Sequence, residues 1–109
     1  MKAKLPKLVR DRIPVIIEET GSTCMISHVN DHKEHQRWLV KKMQEEVDEF
    51  INDPSYAEAA DILEVIKALC YLNGLEFDSV LEAAQDKYSQ FGGFYSGTVL
   101  EYVDYRKNK

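Results

Sequence analysis

Cysteine is scarce in this chain of 109 residues. The two present, Cys24 and Cys70, lie far apart without a CxxC grouping. That spacing argues against a disulfide framework and fits free structural thiols in a reducing compartment. Glycine (five) and proline (three) are also few, and no segment is repetitive or low in complexity. Long apolar runs are missing as well: stretches such as Val15-Ile16-Ile17 are far too short to span a bilayer, and Met1-Lys2-Ala3-Lys4 leads into no signal-peptide apolar region. The expectation is a cytoplasmic protein without membrane contact. Positive charge is in deficit, with fourteen Lys and Arg against nineteen Asp and Glu and a formal charge of −5. A general binder of nucleic-acid backbones needs the opposite balance.

What is present is ordinary globular composition, 44% hydrophobic and 30% charged, in a length suited to one domain spanning 1–109. The few prolines and glycines act as helix punctuation. After a basic arm with Lys2, Lys4, Lys7, Arg10 and Arg12, Pro14 opens a short helix that ends at Gly21. Residues 23–29 read as a connection. Asn30 or Asp31 caps a second helix, with Glu34 placed to reach back, and that helix runs to about Asn52. Asp53-Pro54 reads as a cap followed by proline at the first helical position, opening a third helix that stops at Asn73-Gly74. Almost no loop separates helices two and three, which predicts an antiparallel hairpin. Asp78 is the expected cap of a fourth helix, through Val80, Leu81, Ala84 and Tyr88, broken by Gly92-Gly93. The tail 94–109 fits a strand, a short helix or a partner-wrapping arm. The fold class predicted is all-α, a helical bundle built on the hairpin. Leu63, Ile66 and Cys70 make helix three apolar on more than one side, so completion by a homodimer or homotetramer is expected.

The chemistry lies where the apolar pattern breaks. On helix three the seam Ile62, Val65, Leu69, Leu72 extends one step back to Glu58, about 20° from the middle of the stripe at about 100° per residue, with Asp61 beside it. On helix two Leu39 and Met43 lead to Glu46 before Phe50 resumes the seam, and Glu49 follows on the adjoining flank. Each arm of the hairpin thus presents an acidic pair at i and i+3, and the tight turn brings the pairs together. Like charges in a partly dry site either protonate or surround a multivalent cation. All-oxygen ligation favours a hard ion, Mg²⁺ with Mn²⁺ as substitute, and Glu46, Glu49, Glu58 and Asp61 are the candidate ligands.

Glu45-Glu46-Val47-Asp48-Glu49 followed by Glu58-Ala59-Ala60-Asp61 resembles the EExxE and ExxD pair of the MazG-like all-α nucleoside triphosphate pyrophosphohydrolases. Lys7-Leu8-Val9-Arg10-Asp11-Arg12-Ile13-Pro14 and Ala60-Asp61-Ile62-Leu63-Glu64-Val65 resemble segments of its short, phosphoribosyl-ATP pyrophosphohydrolase-like subgroup. Near the end Lys87 and Gly92-Gly93-Phe94 fit that subgroup's pattern, but Phe91 stands where an Arg is expected. The resemblance implies Mg²⁺-dependent hydrolysis of a nucleotide at the α–β phosphate bond to monophosphate and pyrophosphate. Non-standard nucleotides of a house-cleaning role, or phosphoribosyl-ATP, would be substrates. By motif position the same four acids are the metal ligands, and Glu45 is the candidate to orient or deprotonate the attacking water. Arg10, Arg12 and Lys87 are the candidate phosphate ligands, because Arg offers a bidentate fork and Lys a compact charge. Lys42, one turn before Glu46, is placed to partner the carboxylates.

Other readings compete. A di-iron carboxylate bundle wants Glu-x-x-His pairs, which helices two and three lack. His28, His32 and His35 straddle a helix start with no cysteine nearby, which argues against zinc. Trp38 reads as a core or interface residue before a base-stacking one. A helical interaction module, or a chain that binds nucleotide without turnover, is the non-enzymatic alternative, and Phe91 is what favours it.

Overall fold

A computed structural model describes residues 5–105. Lys2 and Lys4 of the basic arm and residues 106–109 of the tail lie outside the described residues. Four helices follow in order: α1 (Ile13–Glu19), α2 (His32–Asn52), α3 (Tyr56–Leu72) and α4 (Phe77–Phe91), with no strand among the described residues. The all-α class is as expected, residues 23–29 are an irregular connection, and residues 94–105 contain a turn but neither a strand nor a helix. The chain divides into two compact units, the first running to Phe77 and the second starting at Asp78.

In the first unit, α1 carries Pro14 near its start, where a missing N–H costs no helical bond, and Gly21 at φ +93° closes it. The α2 cap is Asp31 rather than Asn30. Its carboxylate accepts from Glu34 N at 2.8 Å, and the Glu34 carboxylate accepts from Asn30 N at 3.0 Å, a reciprocal arrangement that satisfies two otherwise open donors.

The α3 cap departs from the sequence expectation. Ser55, not Asp53, is the cap, and its hydroxyl accepts from Glu58 N at 3.2 Å. Pro54 disfavours helical geometry in the residue before it, so Asp53 leaves the helical region (φ −144°, ψ 77°) and instead ends α2, its N–H donating to Glu49 O at 2.9 Å. At the far end of α3, Leu75 N donates to Cys70 O at 2.8 Å and Gly74 N to Tyr71 O at 3.3 Å. This pairing needs the left-handed backbone that Gly74 supplies at φ +74°.

The three residues 53–55 join α2 to α3, and the two helices pack against each other. They run antiparallel: Asn73 Nδ2 donates to Gln36 Oε1 at 3.0 Å at one end, and Glu46 meets Glu58 at the other. Leu39, Val65 and Cys70 are buried between these ends, with Met43, Phe50, Ile62 and Leu69 half-buried along the same seams. The buried charged residue is Glu46, at 5% exposure. The hairpin therefore holds an acid inside its own buried seam.

In the second unit, Asp78 lies inside the first turn of α4, one residue past its start, where its charge favours the helix dipole although it is not the cap expected from the sequence. After α4, Gly92 takes φ +82°. At Gly93 a Cβ would lie 2.5 Å from Tyr95 Cε2, and Tyr95 meets Tyr88 edge-to-face at 6.4 Å between ring centres. The glycine pair thus lets the chain turn back so that Tyr95 can sit beside α4.

Candidate metal centre

Helical spacing places Glu46 on the inner face of α2, and Glu58 and Asp61 one turn apart at the start of α3. The antiparallel packing then brings the two helix ends together. One carboxylate oxygen from each of Glu46, Glu58 and Asp61 lies within 4.8 Å of the other two. Glu46 Oε1 and Glu58 Oε1 are both closed off from solvent and accept no hydrogen bond from the described residues. Unpartnered buried carboxylate oxygens are costly. Two of them, on carboxylates gathered from different helices, belong to a donor set that suits a hard divalent cation.

Two cations attend the acids. Lys42 Nζ lies 3.1 Å from Glu45 Oε1 and 3.2 Å from Glu46 Oε2, on a side chain that is largely buried. Burial disfavours its ammonium form, but the hydrogen bonds to Glu45 and Glu46 outweigh that and hold its pKa above the usual value. Arg10 Nη2 donates to Asp61 Oδ1 at 2.6 Å, reaching α3 from the segment before α1. Its pKa is raised chiefly by this hydrogen bond, opposed by desolvation and reinforced by the charges of Asp61, Glu64 and Glu46. Negative charge remains in excess. Glu58 shows it most clearly: burial pushes its carboxyl up from the ordinary value, and the charges of Glu49, Asp61, Glu46 and Asp53 push it further.

Of the four ligands expected from the sequence, the structure gathers Glu46, Glu58 and Asp61. Glu49 is exposed and lies outside this group, although its charge is the largest electrostatic contribution felt by Glu58. Glu45, the expected base, is half-buried next to Glu46 and accepts from Lys42. Of the expected phosphate ligands, Arg10 is at the site. Arg12 is the exposed residue preceding α1, and Lys87 is exposed on α4 in the second unit. Phe91 is the exposed last residue of α4.

Lys42 was legible in the sequence from its three- and four-residue spacing to Glu45 and Glu46. The pairing of Arg10 with Asp61 was not, because nothing local links positions 51 residues apart. The histidines stay outside the metal-ligand group among the described residues. Trp38 lies instead on α2, where Nε1 donates to Glu34 Oε2 at 3.4 Å and Lys41 Nζ stands 5.4 Å over the ring.

No family model matches the chain, and neither the curated proteins nor the solved structures include a match to it. No described helix is long and apolar enough to cross a membrane.

Proposed function

We propose that the chain is a hydrolase that uses Glu46, Glu58 and Asp61 to hold a divalent cation, Mg²⁺ or in its place Mn²⁺, and cleaves the α–β phosphate bond of a nucleotide. The observation that carries this reading is the gathering of Glu46, Glu58 and Asp61 from two helices, with Glu46 Oε1 and Glu58 Oε1 buried and without a hydrogen-bond partner among the described residues. The resemblance of Glu45–Glu49 and Glu58–Asp61 to the EExxE and ExxD pair supplies the reaction class.

When bound, the cation supplies charge neutralisation on the phosphate oxygens. Glu45 accepts a proton from the attacking water, and Lys42 holds Glu45 and Glu46 in fixed relation through the bonds already described. Arg10 and Arg12 contribute positive charge to the polyphosphate. Glu49, one turn beyond Glu46, is a further ligand available to a second ion. Phosphoribosyl-ATP and non-standard triphosphates belong to the same substrate class. Screening purified protein against a nucleotide panel with Mg²⁺, measuring pyrophosphate and orthophosphate separately, tests the reading; release of pyrophosphate supports it, and no metal-dependent hydrolysis of any nucleotide refutes it.

One observation favours binding without turnover: Phe91, 74% exposed, takes the position where the resemblance expects an Arg. Nucleotide binding by calorimetry with no product would select that alternative.

A homo-oligomer completes the reading. Val40, Val47 and Ile51 form a second stripe along α2 at steps of seven and four, and each is exposed, as is Leu63 on α3. A helix apolar on two sides needs cover on both, and a second copy of the same hairpin offers a matching surface.

A further inference from the structure

Among the described residues, Arg10 is the one basic side chain of the N-terminal arm placed against the acidic group, and it is held there through one of the residues read as a metal ligand. Its guanidinium meets Asp61 Oδ1 at 2.6 Å, with side-chain exposures of 53% for Arg10 and 36% for Asp61. Among the described residues this bond is its only side-chain partner, and Glu46 and Glu64 add negative charge around it. The arrangement has the form of a carboxylate site whose charge is partly met from within the chain. Two features make it exchangeable. The Arg10 side chain is half in solvent, so leaving Asp61 costs it little, because an ion pair open to water is weakened by screening and by the entropy of holding two long side chains. A divalent ion close to Asp61 would repel the guanidinium while meeting the carboxylates with twice its charge.

We propose that Arg10 is a built-in competitor of the divalent cation: it holds Asp61 while the site is metal-free and is displaced when the ion binds Glu46, Glu58 and Asp61. The inference rests on the metal reading above and adds to it an internal cation that sets the affinity for metal. Displacement leaves the planar fork of Arg10 free for the phosphate assigned to it.

The test is Mn²⁺ titration of the full chain at 0.15 M salt, followed by the electron-paramagnetic-resonance signal of free Mn²⁺, in the wild type and in Arg10→Gln, Arg10→Lys and Lys33→Gln. Lys33→Gln removes one positive charge from the exposed start of α2 and controls for net charge. Arg10→Gln tightens Mn²⁺ binding about threefold to fivefold, matching the small energy of an exposed pair. Arg10→Lys returns affinity to near the wild-type value, and Lys33→Gln leaves it unchanged. In parallel, the side-chain Nε–H resonance of Arg10, identified by its loss in Arg10→Lys, moves on Mg²⁺ titration to the position of a free guanidinium. Circular dichroism confirms that each variant is folded.

Affinity that is unchanged or weaker in Arg10→Gln, or equally tightened in Lys33→Gln, overturns the competitor role while leaving the metal site standing. An Arg10 resonance that stays in place as Mg²⁺ saturates does the same. Absence of Mn²⁺ binding in every protein, the wild type included, overturns the metal reading and this inference with it.

Discussion

Lys42 Nζ lies 3.2 Å from Glu46 Oε2, while Glu46 Oε1, the other oxygen of the same buried carboxylate, has no partner among the described residues. One oxygen is met from within α2, and the same carboxylate groups with those of Glu58 and Asp61. The second oxygen of a carboxylate in a dry position is thereby left for a ligand that Lys42 cannot replace. Lys42→Met removes this support and leaves a buried charge without its cation. A loss of roughly 1–3 kcal/mol in urea unfolding is expected for the metal-free protein. Saturating Mn²⁺ should raise the melting temperature more in this variant than in the wild type, since the ion then supplies the missing positive charge. An unaltered unfolding midpoint would show that Lys42 does not support Glu46.

Glu58→Gln tests the crowding of the acids. Because the Glu58 carboxyl titrates above its ordinary value near 4.5, the folded state holds that proton more tightly than the unfolded state. Its contribution to stability is therefore most favourable below pH 4.5 and is lost as pH rises from there through the raised folded value. Glutamine cannot ionise, so the metal-free variant should match the wild type at pH 4 and be the more stable of the two at pH 7. The same substitution should abolish Mn²⁺-dependent turnover. Urea unfolding at both pH values, with EDTA present, and an activity assay with saturating metal check the two halves separately.

Glu45→Gln separates water activation from metal holding. A general base outside the metal-ligand group should cost about 10²-fold or more in rate when removed, with Mn²⁺ affinity little changed. Matching losses of rate and metal affinity would place Glu45 among the ligands instead.

The bond that breaks is read from product analysis in ¹⁸O-labelled water. The chain contains no Gly-rich loop followed by Lys and Ser or Thr of the kind that cradles terminal phosphates. Attack at the α-phosphorus places the label in the nucleoside monophosphate and leaves pyrophosphate unlabelled. Label confined to pyrophosphate means attack at the β-phosphorus, and label in orthophosphate means terminal phosphate removal; either result overturns the proposed reaction.

Light scattering at micromolar concentration should show a dimer or a tetramer. Val47→Lys, on the exposed stripe of α2, should shift the chain toward monomer, because a buried lysine would have to lose hydration without a partner. A monomeric wild type would mean that no second copy covers the stripe.

Much of this molecule is a consequence of local sequence. Helices α1, α3 and α4 end where glycine supplies a left-handed turn at Gly21, Gly74 and Gly92, and Asp31 and Ser55 satisfy open helix donors using atoms only three residues away. Glu46 and Glu58 stood out because helical periodicity is short-ranged, so an acid in an apolar seam shows at steps of three and four. Proline also acts on its neighbour, and that local steric effect moved the α3 cap from Asp53 to Ser55. Tertiary structure alone decided the rest. Glu46 and Glu49 have equal standing as an i and i+3 pair, yet α3 packs so that Glu58 and Asp61 join Glu46, while Glu49 stays exposed. Arg10 shares no periodicity with Asp61, and their bond exists because folding brings the N-terminal arm to α3 across 51 residues. A helix pattern specifies which side of a helix is turned inward, whereas the partners that meet there depend on how distant segments pack.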